Sequence, residues 1–277
     1  MSTISNPMSD RGARIANSIM LTIAGIIVIT PTFWMVLSSF KQSFEVTAYP
    51  PTLLFTPTLD NYATLSERTP FMSYALNSMI VTLGSTFLGL LFGAPAAFVA
   101  SWTRVTWPAI VTLVARMAPG TLFLLPWYLM FRQFDMIGSY WSLILTHGVI
   151  TMPIVIWVLL PFFDNIPRSI YEAAQVDGCS PAYVFWKIAL PLVSSGLVVS
   201  TILAFVFSWN YFLFSLVLSN SDTKTLIAAS FNFIGEGSTN WGGLMAAATL
   251  IALPPLVLAT LVQRWLISGL TLGAVKG

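Results

Sequence analysis

Between Arg68 and Arg104 the chain carries no charged side chain. A helix that crosses a bilayer needs about 20 mostly apolar residues, and six stretches meet that demand: 16–37, 74–102, 109–131, 141–163, 192–218 and 244–266. Over all 277 residues, 56% are hydrophobic and 8% are charged, whereas a soluble domain carries about 25% charged side chains to coat its outside. A chain so poor in charge turns apolar groups outward as well as inward, which only lipid tolerates. The expected fold is all-α, a polytopic membrane bundle of six transmembrane helices. Segment 1–15 is then a tail, 16–266 the transmembrane domain, and 267–277 a second tail.

Charge acts here by location. Arg116 sits inside the third stretch, where a mid-membrane Arg costs roughly 2.5–3.5 kcal/mol against about 0.3–0.6 returned by each Leu, Ile, Val or Phe. With Pro119, Gly120 and Pro126 also against it, that span is near balance and leans on its neighbours. If the N terminus is inside, the inner segments hold Arg11, Arg14, Arg104, Arg168, Lys187, Arg264 and Lys276, and the outer ones Lys41, Arg68, Arg132 and Lys224; seven against four favours both termini in the cytoplasm. The first apolar stretch outruns a signal-peptide core, so a retained anchor is expected. A net charge of +2 without a basic patch gives no reason to expect nucleic acid. One cysteine, Cys179, and one histidine supply neither a disulfide nor a metal cluster of the usual spacing.

The inner loop 164–191 is not plainly loop-like. Pro167 suits a first helical turn, Ala173 and Ala174 favour helix, and Gly178 suits the left-handed position just past a helix end. Ser180-Pro181 then reads as an N-cap and first-turn proline for a second short helix carrying Phe185, Ile188 and Leu190, with Pro191 at the next junction. Glu172-Ala173-Ala174, Asp177-Gly178, Ile188, Leu190 and Pro191 resemble the Glu-Ala-Ala loop of importer permeases of the ATP-binding-cassette superfamily. The bland alternative is an amphipathic helix pair lying on the bilayer surface.

The resemblance extends along most of the chain. Leu59-Asp60-Asn61-Tyr62, Asn77-Ser78, Trp209-Asn210-Tyr211-Phe212 and the tail from Gly269 to Gly277 are similar to the maltose-type sugar permeases, with a departure at Ser195, where many relatives carry a second proline. The resemblance implies that the loop is a coupling helix seated in a groove of an ATPase subunit, with Glu172 facing a basic residue there. It implies that the tail, with Gly273, Val275 and Lys276, reaches the interface between two ATPase subunits. Further implied are a second homologous permease, an extracytoplasmic solute-binding protein and a bacterial inner-membrane location. The solute would be a sugar, oligosaccharide, sugar alcohol or acidic sugar derivative.

No Gly-Lys dipeptide occurs, so the phosphate-cradling loop is absent and the chain is not expected to be an enzyme or to hold a cofactor. ATP and Mg would be bound by the partner ATPase subunits. Polar residues inside the spans are the candidates for the solute path. Arg116 suits sugar hydroxyls or an acidic group, or else a broken-helix carbonyl near Pro119. His147 suits solute contact or helix-to-helix bonding. Trp209, Asn210 and Tyr211 offer an aromatic face with amide and hydroxyl groups, the chemistry of sugar binding, or else an interfacial belt. An ion-coupled secondary transporter is the alternative, and it would want carboxylates within the spans, where none is expected.

Overall fold

The computed structural model describes residues 7–233 and 239–272. Helices joined by loops make up the whole of it, with no β-strand among the described residues. Lipid offers no hydrogen bonds to the backbone, so each crossing segment satisfies its own N–H and C=O groups by coiling. The chain divides into two compact units, Met1–Thr69 with Phe233–Leu250, and Pro70–Asn232 with Ile251–Gly277.

The first unit holds α1 (Pro7–Ser39), α2 (Ser43–Val46) and α3 (Asp60–Arg68). The most apolar part of α1 has no buried residue. Its C-terminal end is closed from α3. The last carbonyls of a helix lack intrahelical partners, and the Asn61 amide donates to the Ser39 and Lys41 carbonyls at 2.9 and 2.7 Å. The hydroxyls of Ser39 and Tyr62 lie 2.7 Å apart. Lys41 is almost fully buried; its ammonium donates to the Thr52 carbonyl at 2.6 Å and stands 4.4 Å from the Trp34 ring centre, a cation–π contact.

The second unit begins with α4 (Phe71–Thr103), α5 (Trp107–Met117), α6 (Gly120–Gln133) and α7 (Tyr140–Asp164). After α8 (Arg168–Val176) come α9 (Pro181–Tyr183), a π-helical turn (Val184–Ala189), α10 (Leu190–Leu192), α11 (Ser194–Trp209), α12 (Leu213–Leu218) and α13 (Leu226–Ala229). The last helix, α14, spans Trp241–Leu272. At the centre α4 lies against α7, at a distance set by missing side chains. A Cβ on Gly89 would fall 2.6 Å from the Thr151 hydroxyl, and one on Gly93 would fall 2.9 Å from the Val155 side chain. Close backbone approach of this kind replaces the hydrophobic effect as the source of helix association in lipid.

Four helices, α1, α4, α7 and α14, are each long and apolar enough to cross a membrane. The stretch 109–131 is instead two helices, α5 and α6, meeting at 93°. Ala118 is extended, with ψ 135°, and Pro119 follows with ψ 130°; a residue before proline is pushed out of the helical region, and proline itself offers no N–H to continue the ladder. The stretch 192–218 is broken as well, since α11 stops at Trp209 and α12 resumes at Leu213. On its other side the helical run Pro181–Leu192 meets α11 at 84°.

Candidate functional site

The segment between α7 and α11 is built as two short helices around a glycine. Pro167 precedes the first turn of α8. At the far end Gly178 has φ +72°, its N–H bonds to the Gln175 carbonyl, and the Cys179 N–H reaches back to the Ala174 carbonyl at 2.9 Å. That pair of bonds is a Schellman closure, whose left-handed position strains any residue bearing a Cβ. The Ser180 hydroxyl accepts from the Tyr183 N–H and caps α9, where Pro181 opens the first turn. The following turn widens to π-helical geometry over Val184–Ala189, and Pro191 follows inside α10. There the missing N–H leaves no way to continue the ladder unchanged.

α8 has two faces. Tyr171 and Ala174 point inward, 3% and 4% exposed, while Glu172, Ala173, Gln175, Val176 and Asp177 point outward. Tyr171 lies 4.9 Å from Trp102 and 6.1 Å from Phe98, ring to ring, in the core cluster that also takes in Phe163, Phe185 and, at its edge, Ile188 and Leu190. Pro191 is exposed. Burial pushes the Tyr171 phenol up to about 12, with Asp164 adding and Arg168 opposing. Its hydroxyl is buried without a hydrogen-bond partner among the described residues. Glu172 and Ala173 are thus free to meet another surface, and Ala174 is small because it touches the core.

Sequence reasoning missed Arg168. Its guanidinium donates to the Ser101 carbonyl at 2.7 Å and the Trp102 carbonyl at 3.0 Å, the closing carbonyls of α4. The Ser101 hydroxyl donates to Asp164 at 2.5 Å. A cation in the first turn of a helix opposes that helix's own dipole, and this misplacement was the one readable hint that Arg168 serves something other than α8.

A second feature is a cavity of about 590 Å³ walled by α4, α5, α6, α7, α11 and α12. Of the five residues proposed for the solute path, Arg116 and Tyr211 line it. Arg116 stands at the end of α5, just before the break, with its guanidinium 4.7 Å from the Phe207 ring centre. The Tyr211 hydroxyl occupies the space a Cβ would take on Gly120. Phe123, Trp127 and Phe214 supply much of the rest of an apolar wall.

The other three stand elsewhere. His147 is buried, its Nδ1 2.9 Å from the Ser208 hydroxyl in α11 and its Nε2 3.1 Å from the Ser215 hydroxyl in α12. It therefore bridges the break between those two helices, and Ser208 in turn meets Ser85 of α4 at 2.7 Å. Trp209 is buried and stacked on Phe205, and its indole N–H donates to the Ile251 carbonyl at 3.0 Å. Pro255 lies four residues beyond Ile251 and has no N–H to give that carbonyl, so the indole fills the vacancy. Asn210 ends α11 with its amide on the Val206 carbonyl. Asn77 proves to be a junction: its amide donates to the Asp222 and Lys224 carbonyls, and its oxygen accepts from Tyr140 at 2.6 Å. Gly273, Val275 and Lys276 lie outside the described residues.

Residues 85–271 match the family described as binding-protein-dependent transport system inner membrane component. The chain is 35% identical over 256 residues, 92% of each chain, to the probable ABC transporter permease protein y4oR of Sinorhizobium fredii. It is 31% identical to the diacetylchitobiose uptake system permease protein DasC of Streptomyces coelicolor, over 90% of this chain and 92% of that one. Among solved structures, a bacterial ABC transporter involved in the import of the acidic polysaccharide alginate superposes with a TM-score of 0.72, covering 95% of this chain and 99% of that one at 18% identity, a likeness of fold. With its apolar helices, its glycine-closed knob and a family match across both, this chain belongs to the binding-protein-dependent transport system inner membrane components, the multi-pass permease subunits of ATP-binding-cassette importers.

Proposed function

We propose that this permease works beside a second, homologous permease, with two ATPase subunits that bind ATP and Mg on the cytoplasmic side and a solute-binding protein outside. Both termini and the 164–191 loop would face the cytoplasm, as the Lys and Arg distribution favours. The subunit itself does no chemistry; it alternates between discrete packings whose populations ATP binding and hydrolysis elsewhere shift. The observation that carries this reading is the outward face of α8, with Glu172 and Ala173 exposed on a helix held rigid by Gly178 and by an aromatic core beneath it. A solvated loop has no need of such a foundation. A groove on a motor subunit does.

The solute is inferred to be a carbohydrate, on the strength of a relative that takes up diacetylchitobiose. The cavity beside the α5–α6 break is the inferred place of passage. Its aromatic walls suit the CH faces of sugars, and the single guanidinium of Arg116 suits an acidic substituent. The ion-coupled alternative fails on the family membership.

The test is co-purification followed by uptake. The tagged chain should bring an ATPase with it, and Glu172→Ala or Gly178→Pro should lower solute uptake by about tenfold, the scale of a coupling free energy of roughly 1–3 kcal/mol, while the subunit still inserts. Unaltered uptake in both variants would remove the coupling role. Thermal stabilisation of the cognate binding protein by a panel of neutral and acidic sugars identifies the solute.

A further inference from the structure

The outward face of α8 explains how force arrives; its inner side bears on where force goes. α8 is short, and its two buried side chains, Tyr171 and Ala174, rest on a cluster to which α4 and α7 both contribute. An apolar cluster resists compression well but resists sliding poorly, because its contacts are not directional. The directional contacts are at the start of the helix. There the planar fork of Arg168 gives two N–H groups to the consecutive carbonyls of Ser101 and Trp102, and the Ser101 hydroxyl goes to Asp164 at the end of α7. One residue, Ser101, therefore fastens to α8 through its carbonyl and to α7 through its hydroxyl.

The charge of Arg168 is ill placed in its own helix and well placed against α4. At the first turn of α8 it faces the positive end of its own helix dipole, whereas at the last carbonyls of α4 it meets the negative end of another. A charge-assisted, two-pronged bond fixes direction as well as distance. A lysine offers a point charge without the fork. α4 in turn cannot slip against α7, since Gly89 and Gly93 seat the backbone directly on Thr151 and Val155.

We propose that Arg168 is a positioning residue for coupling: it locks α8 to the end of α4, so that displacement of the outward face moves α4 and α7 as one body. This rests on the reading of α8 as the ATPase contact but makes a separate claim, since docking and transmission can fail independently.

The experiment uses the whole importer, reconstituted in liposomes with its ATPase and binding protein, and measures ATPase retention and solute moved per ATP hydrolysed. Arg168→Ala should keep the ATPase subunits bound while solute per ATP falls by about fivefold or more, with Arg168→Lys in between. Glu172→Ala should instead weaken ATPase retention. In a Cys179→Ser background, spin labels at Thr103→Cys and Gln175→Cys should report one narrow distance that broadens when Arg168 is replaced, a readout independent of transport. An unchanged solute-to-ATP ratio, or an unchanged distance distribution, in Arg168→Ala overturns the proposal. If Glu172→Ala leaves ATPase retention intact, the docking reading fails, while the label distances still judge Arg168. Should Arg168→Ala not assemble, Arg168→Lys decides by the same two measurements.

Discussion

Trp209 shows how a side chain can carry the right chemistry for one task and be committed to another. Its neighbours Asn210 and Tyr211 complete a plausible sugar-binding trio in the sequence, yet its indole N–H is taken by a carbonyl 42 positions away, exposed there by a proline. No local pattern links the two. Trp209→Phe keeps the stack on Phe205 and removes the donor, and should lower the stability of the purified subunit by about 1–3 kcal/mol, the cost of a buried carbonyl left unmatched; a thermal melt in detergent reads it. Tyr171 presents the reverse case. Its hydroxyl finds no partner, so Tyr171→Phe should melt at the same temperature or higher. The wild-type phenol ionises near 12 when folded and near 10 when unfolded. A raised folded value means stability is lost as pH climbs through that window, and Tyr171→Phe should flatten the alkaline loss.

At the level of elements, the helices of α4 and α7 were legible because their apolar runs are long and unbroken. The loop was legible from its punctuation: Gly178 does occupy a left-handed position, and Ser180 does cap the next helix. Pro119 marked the break within 109–131, but composition hid its angle. Hydropathy sums side chains and is blind to direction, whereas Ala118 and Pro119 turn the chain through a right angle without interrupting the apolar run. The contact between α4 and α7 was equally hidden, because glycines add nothing to a hydropathy count. It is also where an added side chain should do most harm. Gly93→Val would press branched carbons against Val155 and the Met152 carbonyl; overpacking of this kind costs about 1–3 kcal/mol, and the variant should show reduced yield of folded subunit by size-exclusion chromatography, with Gly12→Val, which meets nothing, as the matched control.

For the molecule as a whole, the bilayer sets which groups are reachable from which side. Cys179, the sole cysteine of the sequence, is partly exposed just beyond Gly178. A membrane-impermeant maleimide should label it in inside-out vesicles and spare it in right-side-out ones, and the opposite result would invert the proposed topology. The sequence carried the membrane class, the family and the position of the two short helices around Gly178, since each depends on local composition or spacing. It could not carry the cavity, which is assembled from six helices and depends on where the chain breaks between them.

The bare flank of α1 has a practical corollary. A segment whose greasiest part has no buried residue among those described draws its stabilisation from the surrounding amphiphile, so the purified subunit's tolerance of heat should rise with the acyl-chain length of the detergent that girdles it.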